Sequence, residues 1–141
     1  MPTNLKFETI IPTQKQIDDL YKLLSERKYF ISHNILPTKK EHQEFVSNNP
    51  YLAWYLIRKR TDLIGSVYVH HDNSIGININ NAAKENITDI ILYIKSKHKP
   101  LSAVKSLRRG EFFINISSDN EELLTTLKEI GAKEIQRSFI V

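Results

Sequence analysis

Histidines, a few amides and a set of aromatic side chains on strand-like runs are the residues of this chain with types suited to chemistry. His33 lies in an unusually apolar connection, residues 29–37. A neutral imidazole there could take up a proton near neutral pH, or serve as a hydrogen-bonded structural histidine. His42 falls on the apolar face of a helical pattern, where packing or capping accounts for it. His70 and His71 precede Asp72, but their spacing matches no metal-ligand pattern, and an exposed turn explains them. Trp54, Tyr55 and Tyr68 stand on strand-like runs, where aromatics either line a pocket or fill a core. Residues 75–80, Ile-Gly-Ile-Asn-Ile-Asn, alternate strictly. Three isoleucines take one face; Gly76, Asn78 and Asn80 take the other and leave room for something to lie against the sheet.

Composition narrows the classes. The 141 residues suffice for one domain with a core. With 40% hydrophobic and 26% charged residues the chain is an ordinary globular sequence, not a disordered tail. No apolar run approaches the ~20 residues of a membrane span. The first residues, Met1 to Lys6, lack the apolar centre of a signal peptide. Cysteine is absent, so disulfides and thiolate metal sites are excluded, and the cytoplasm is the expected compartment. The net charge of +4 suits an anionic small ligand as well as nucleic acid. A cluster of Lys95, Lys97, Lys99, Lys105, Arg108 and Arg109 could grip a phosphate or be a solvated face. It lacks interleaved aromatics, which argues against nucleic acid.

These residues must be held by regular elements. Residues 5–11 alternate like a strand. Thr13 and Gln16 form a capping-box start for a helix whose Ile17, Leu20, Tyr21 and Leu24 share one stripe. Thr38 and Glu41 start a second helix. Residues 51–57, 63–69 and 75–80 read as three strands joined by tight turns, the first of them apolar enough to be central. Asn86 can cap a third helix carrying Ile87, Ile90, Ile91 and Ile94. Residues 111–117 form a fifth strand. Ser118 and Glu121 start a last helix that Gly131 ends, and residues 133–141 form a sixth strand. The predicted order is β-α-α-β-β-β-α-β-α-β, a mixed α/β sheet covered on both sides.

That order resembles the GNAT (Gcn5-related N-acetyltransferase) superfamily, and local sequence is similar to a bacterial subgroup of it. The matching residues are Ile31-Ser32-His33 with Pro37-Thr38, Glu41-His42 and Phe45-Val46, then Pro50-Tyr51 with Trp54-Tyr55. Ile64-Gly65-Ser66, Asn115, Asn120 and Gly131 continue the likeness. The resemblance implies transfer of an acyl group, usually acetyl, from acetyl-CoA to the amine of a small molecule such as an amino sugar. It implies a splay between the fourth and fifth strands in which the pantetheine arm pairs with Ile77, Asn78, Ile79 and Asn80, while an N–H near Ile79 polarises the thioester. By the same likeness Asn115 and Asn120 border the arm, Lys84 meets phosphate, and the basic cluster meets the 3′-phosphate. His33 is implied as base, His33, Tyr55 and Tyr68 as acceptor-binding residues, and a homodimer as one possible assembly. No metal is implied. A GNAT-fold protein that has lost its cofactor and binds a ligand or partner is the alternative.

Two departures from the family pattern stand out. Where the family has a glycine-rich phosphate loop, this chain runs Asn80-Asn81-Ala82-Ala83-Lys84-Glu85-Asn86 without glycine, which predicts a hindered approach of pyrophosphate. Leu127 stands where many relatives carry a proton-donating tyrosine.

Overall fold

The computed structural model describes residues 4–29 and 35–141. The elements are β1 (Leu5–Thr9), α1 (Gln14–Glu26), α2 (Lys39–Ser47), β2 (Ala53–Lys59), β3 (Asp62–Val69), β4 (Ser74–Ile79), α3 (Lys84–Lys97), β5 (Phe113–Ile114) and α4 (Glu121–Glu129). The strands form one sheet in the order β1-β2-β3-β4-β5. β1 to β4 make an antiparallel meander, and β5 joins β4 in parallel.

Strand alternation divides the core in two. Tyr55, Ile57, Val67, Val69 and Ile75 face α3 and α4, meeting Ile87, Ile90, Ile94, Leu123 and Leu127. Leu56 faces the other way, toward Ile17, Leu20 and Leu23 of α1 and Val46 of α2. At about 25 cal/mol per Å² of buried apolar area, these two faces supply the main drive to fold.

Local chemistry fixes the helix starts. Thr38 and Glu41 complete a reciprocal capping box at α2. At α1 only half the box forms: Thr13 accepts the Gln16 N–H, while the Gln16 side chain turns back to Ile11, Glu8 and Thr9. α3 begins two residues before the expected cap. Ala83 occupies the N-cap without a side-chain bond, and Asn86 instead donates to the Asn81 carbonyl at 3.1 Å. α4 is capped by Asn120, not Ser118, because Asn120 Oδ1 reaches the Leu123 N–H at 3.1 Å. Gly131, at φ +90, ends α4 in the left-handed region.

The sixth strand does not form. Residues 133–141 carry no strand and are exposed, with Phe139 at 82%. The fifth is two residues long where seven were expected. Alternation supplies strand propensity, but a strand also needs a partner, and residues 133–141 pair with neither edge of the sheet.

Candidate functional site: an open seam between two strands

The backbone of β4 is used asymmetrically. His70 N–H donates to Ser74 C=O (2.9 Å), and Asn80 N–H to Ile64 C=O (3.0 Å). In an antiparallel ladder, residues bonded to one neighbour alternate with residues whose polar groups point to the other side. With the register Tyr68↔Gly76 and Ser66↔Asn78, the even-numbered residues of β4 therefore bond to β3. Ile75, Ile77 and Ile79 aim their N–H and C=O groups toward β5. β5 meets them only at Ser74↔Phe113 and Ile75↔Ile114. Beyond that the seam opens, with Ile77 and Ile79 on one bank and Asn115, Ile116 and Ser117 on the other.

The seam runs into a cavity of about 630 Å³. Its walls include Ile77, Asn78, Ile79, Asn80, Asn115 and Asn120, all of them expected at a site from sequence. The far wall is aromatic: Tyr51 stacks on Tyr68 with centroids 3.9 Å apart, and Trp54 meets Tyr51 edge-on at 5.0 Å.

Gly76 explains the position of Tyr68. A Cβ at Gly76 would collide with Cζ and Cε2 of the Tyr68 ring and lie 2.5 Å from its hydroxyl oxygen. The room expected above Gly76 is therefore taken by Tyr68, whose ring reaches from β3 across β4 and is sandwiched between Gly76 and Tyr51. A glycine inside a strand often marks such a close approach. Burial raises the Tyr68 phenol above its ordinary pKa, with the nearby Asp72 carboxylate adding to the shift. Burial first, and Tyr68 second, raise Tyr51 as well. Both phenols therefore stay protonated at neutral pH.

Other site candidates fall elsewhere. Tyr55 points to the opposite face of the sheet, where its hydroxyl meets His98 Nε2 at 2.7 Å; β-strand alternation separates it from Trp54 and Tyr68. His33 lies outside the described residues. Lys84 is the exposed first residue of α3. His42 lines the cavity, yet its Nε2 is hydrogen-bonded to the Ile17 carbonyl (3.1 Å), and burial lowers its pKa, so it sits neutral. Arg109 pairs with Glu111 at 3.5 Å, and Arg108 bonds the Ser102 and His71 carbonyls, which ties part of the basic cluster into its own loop. Sequence reading placed Gly76 on the open face of its strand but passed over Ser66 and Ser117 as wall residues. Neither serine left a recognisable signal.

The loop from Asn80 to α3 is self-contained. Asn81 Oδ1 accepts the Ala83 N–H (2.9 Å), and Thr126 Oγ1 donates to the Ala82 carbonyl (2.6 Å). Ala82 is buried. Positive φ outside glycine occurs at Arg60, Asn73 and Ser106 among the described residues, so the loop needs no glycine for its backbone path. The amides of Lys84, Glu85 and Asn86 at the start of α3 have no side-chain cap. No metal-ligand cluster occurs among the described residues, and no helix there is long and apolar enough to cross a membrane.

By sequence, the chain matches no family model and no curated protein. Solved structures with the same architecture do match. An integron cassette protein from the mobile metagenome of V. cholerae superposes with a TM-score of 0.63 at 9% identity, covering 99% of this chain and 93% of the other. RimL, a ribosomal alpha-N-protein acetyltransferase in complex with coenzyme A, gives 0.60 at 12% identity, covering 92% and 80%. The aminoglycoside acetyltransferase AAC(6')-Iy, in complex with a bisubstrate analogue of coenzyme A, gives 0.58 at 10% identity, covering 97% and 96%. The fold is the GNAT acetyltransferase fold. Within that fold, the parting of β4 from β5 leaves strand backbone uncovered beside a cavity.

Proposed function

We propose that residues 1–141 act as one N-acyltransferase domain, moving an acetyl or other acyl group from acyl-CoA to the amine of a small molecule. The observation that carries this reading is the pair of backbone units at Ile77 and Ile79, aimed into an open seam that adjoins a cavity. An extended arm carrying amides can pair with those groups as a further strand would. Bound acyl-CoA supplies the activated thioester. The chain's own parts then have separable tasks. The N–H groups of Ile77 and Ile79 hold a carbonyl oxygen and stabilise charge growing on it. Asn115 and Asn120 border the arm from the opposite bank. The uncapped amides at the start of α3, with Lys84 beside them, meet phosphate. Tyr68 bounds the acceptor side of the cavity. His33 is the base this reading assigns to the acceptor amine. An amino sugar is the favoured acceptor class, supported by the likeness to an aminoglycoside acetyltransferase.

The phosphate end also favours a second reading, a GNAT-fold module that binds a ligand or partner without the cofactor. There the Ala83 N–H is already satisfied by Asn81, and Glu85 sets a negative charge in the first turn of α3. Calorimetry and thermal melting with acetyl-CoA separate the two. Binding heat, a raised Tm and thiol release with a panel of amino sugars support the enzyme; no heat and no shift at saturating acetyl-CoA favour the binding module. If the altered loop weakens phosphate binding, Asn81→Ala, which frees the Ala83 N–H, tightens acetyl-CoA binding.

A further inference from the structure

The positive charge of this chain is gathered in one stretch. Residues 95–109 hold Lys95, Lys97, Lys99, Lys105, Arg108 and Arg109, six of the 20 Lys and Arg residues, and no Asp or Glu. The remaining 14 cations face all 16 carboxylates, so outside this stretch the chain is formally negative. The fold sets the stretch apart from the open seam. α3 spans 14 residues, which at 1.5 Å each puts its ends about 20 Å apart. Lys95, Lys97 and Lys99 stand at the end away from the phosphate assigned above. The loop that follows is anchored at the closed end of β4, where Asn73, next to Ser74, donates to the carbonyls of Leu101 and Arg109. A donor arm in the seam leaves this cluster unused.

From that base a small hairpin projects. Val104 and Arg108 exchange N–H···O=C bonds of 2.8 Å, and the Leu107 N–H also reaches the Val104 carbonyl at 2.9 Å. Ser106 makes the turn at φ +66, in the left-handed region. Arg108 is engaged inside, donating to the Ser102 and His71 carbonyls. Outward the hairpin presents Leu107, 80% exposed, and Val104, 40% exposed, with exposed Lys105 and Arg109 beside them. Arg109 meets Glu111 at 3.5 Å, whereas Lys95, Lys97, Lys99 and Lys105 have no carboxylate partner among the described residues. A lone exposed leucine is ordinary. Carried at the tip of an ordered turn among cations, it makes an apolar point inside a positive collar.

The chemistry of that tip selects among anionic partners. A nucleic-acid duplex offers phosphates but no apolar layer for Leu107 and Val104, and the stretch has no Phe, Tyr or Trp on which single-stranded bases could stack. A folded protein partner needs about 800 Å² of complementary surface on each side, and two apolar side chains on a projecting turn make no such centre. A bilayer demands no matching shape: negative headgroups over acyl chains complement a positive collar around an apolar point. We propose that residues 95–109 dock this chain on the surface of an anionic lipid bilayer. Leu107 and Val104 enter the headgroup boundary, and the lysines meet lipid phosphates. Each cation close to such a surface strengthens partitioning about fivefold, and the attraction fades within a Debye length, about 8 Å at physiological salt. One shallow tip and a polybasic collar give peripheral, reversible attachment. The seam opens toward the other end of β4, so a docked chain keeps it accessible. The proposal stands apart from the acyltransferase reading.

Co-sedimentation of the full chain with phosphatidylcholine vesicles, made with and without phosphatidylglycerol, tests it. The protein should pellet with the anionic vesicles and not with the neutral ones, and high salt should release it. Lys99→Gln combined with Lys105→Gln should weaken binding about 25-fold, from two cations at about fivefold each. Leu107→Ser should weaken it about tenfold through lost insertion. All three side chains are exposed, so the Tm of both variants should stay within a few degrees of the parent. Absence of pelleting with anionic vesicles overturns the proposal, as does equal pelleting with neutral ones. An affinity unaltered by Leu107→Ser also overturns it, since the patch would then be a plain polyanion collar. Displacement of the bound protein by a DNA duplex at equal phosphate concentration would make the patch a nucleic-acid surface instead.

Discussion

The two edges of β4 have been treated differently. Toward β3 the strand is paired along its length, from Ile75 to Ile79, and continues through Asn80 to Ile64. Toward β5 the pairing stops after Ile75, although residues 111–117 have as strong a strand composition as any in the chain. The difference shows that propensity did not set the length of β5; anchoring did. Asn73, fully buried in the β3–β4 turn, donates from Nδ2 to the carbonyls of Leu101 (2.9 Å) and Arg109 (2.7 Å) and accepts the Leu101 N–H at 2.7 Å. Its own carbonyl accepts the Phe113 N–H at 3.2 Å. One residue therefore pins the loop that delivers β5 and fixes where the seam closes. From there the chain turns away through Ser117 and Asp119 into the Asn120 cap of α4.

Breaking that pin should have the largest effect. Asn73→Ala removes three hydrogen bonds and leaves alanine at φ +73, so a loss of about 3 kcal/mol is expected in urea unfolding. Asn73→Gly tolerates the backbone angle and should lose less. In both variants amide exchange should quicken at Phe113 and Ile114 more than in β1 to β3. A smaller effect is expected at Gly76→Ala, where the added methyl must push the Tyr68 ring off Tyr51. Overpacking of this kind costs about 1–3 kcal/mol. Near-ultraviolet circular dichroism should report the lost stacking, and a variant as stable as the parent would show that the ring is not held as described.

The smallest effect sharpens the comparison from the paired side. Arg58 on β2 bridges Glu8 of β1 (3.2 Å) and Asp19 of α1 (2.7 Å), an electrostatic tie across the fully paired region. A hydrogen bond from Gln16, helped by Arg58, holds the Glu8 carboxyl below its ordinary pKa. A carboxylate depressed by folding adds stability above the unfolded pKa, about 4.3, and that stability is lost as pH falls through the lower folded value. Glu8→Gln should therefore lower stability slightly near neutrality, where the charged carboxylate contributes, and the variant and parent curves should converge as pH falls below about 4. The carboxylate is partly exposed, so solvent screening keeps the change modest.

How much of this was legible in the sequence follows the physics of each region. The meander and the helix stripes were readable because period-2 and period-3.6 burial is local information: Ile87, Ile90 and Ile94 face the core as their spacing requires. The seam residues Ile77 to Asn80, Asn115 and Asn120 were named from family likeness, and all of them line one cavity. Tyr55, left between pocket and core by its sequence and named at the acceptor only by likeness, packs in the core under α3; the run Trp54-Tyr55-Leu56 carries apolar residues on both sides and conceals its phase. The sixth strand failed because pairing is a property of two segments, and residues 133–141 declare only one of them. The α3 cap failed for a similar reason: Asn81 and Asn86 satisfy the loop by side-chain bonds that no spacing rule announces.

The most direct measurement is residue-resolved amide hydrogen exchange along β4, with and without saturating acetyl-CoA. Gly76 and Asn78 should be protected in both conditions, because β3 holds their amides. Ile77 and Ile79 should exchange fast in the free protein and slow at least about tenfold when acetyl-CoA is present. Equal protection of all four amides in the free protein would mean that the seam is closed, and fast exchange of Ile77 and Ile79 unaltered by acetyl-CoA would mean that no acyl-CoA arm pairs there.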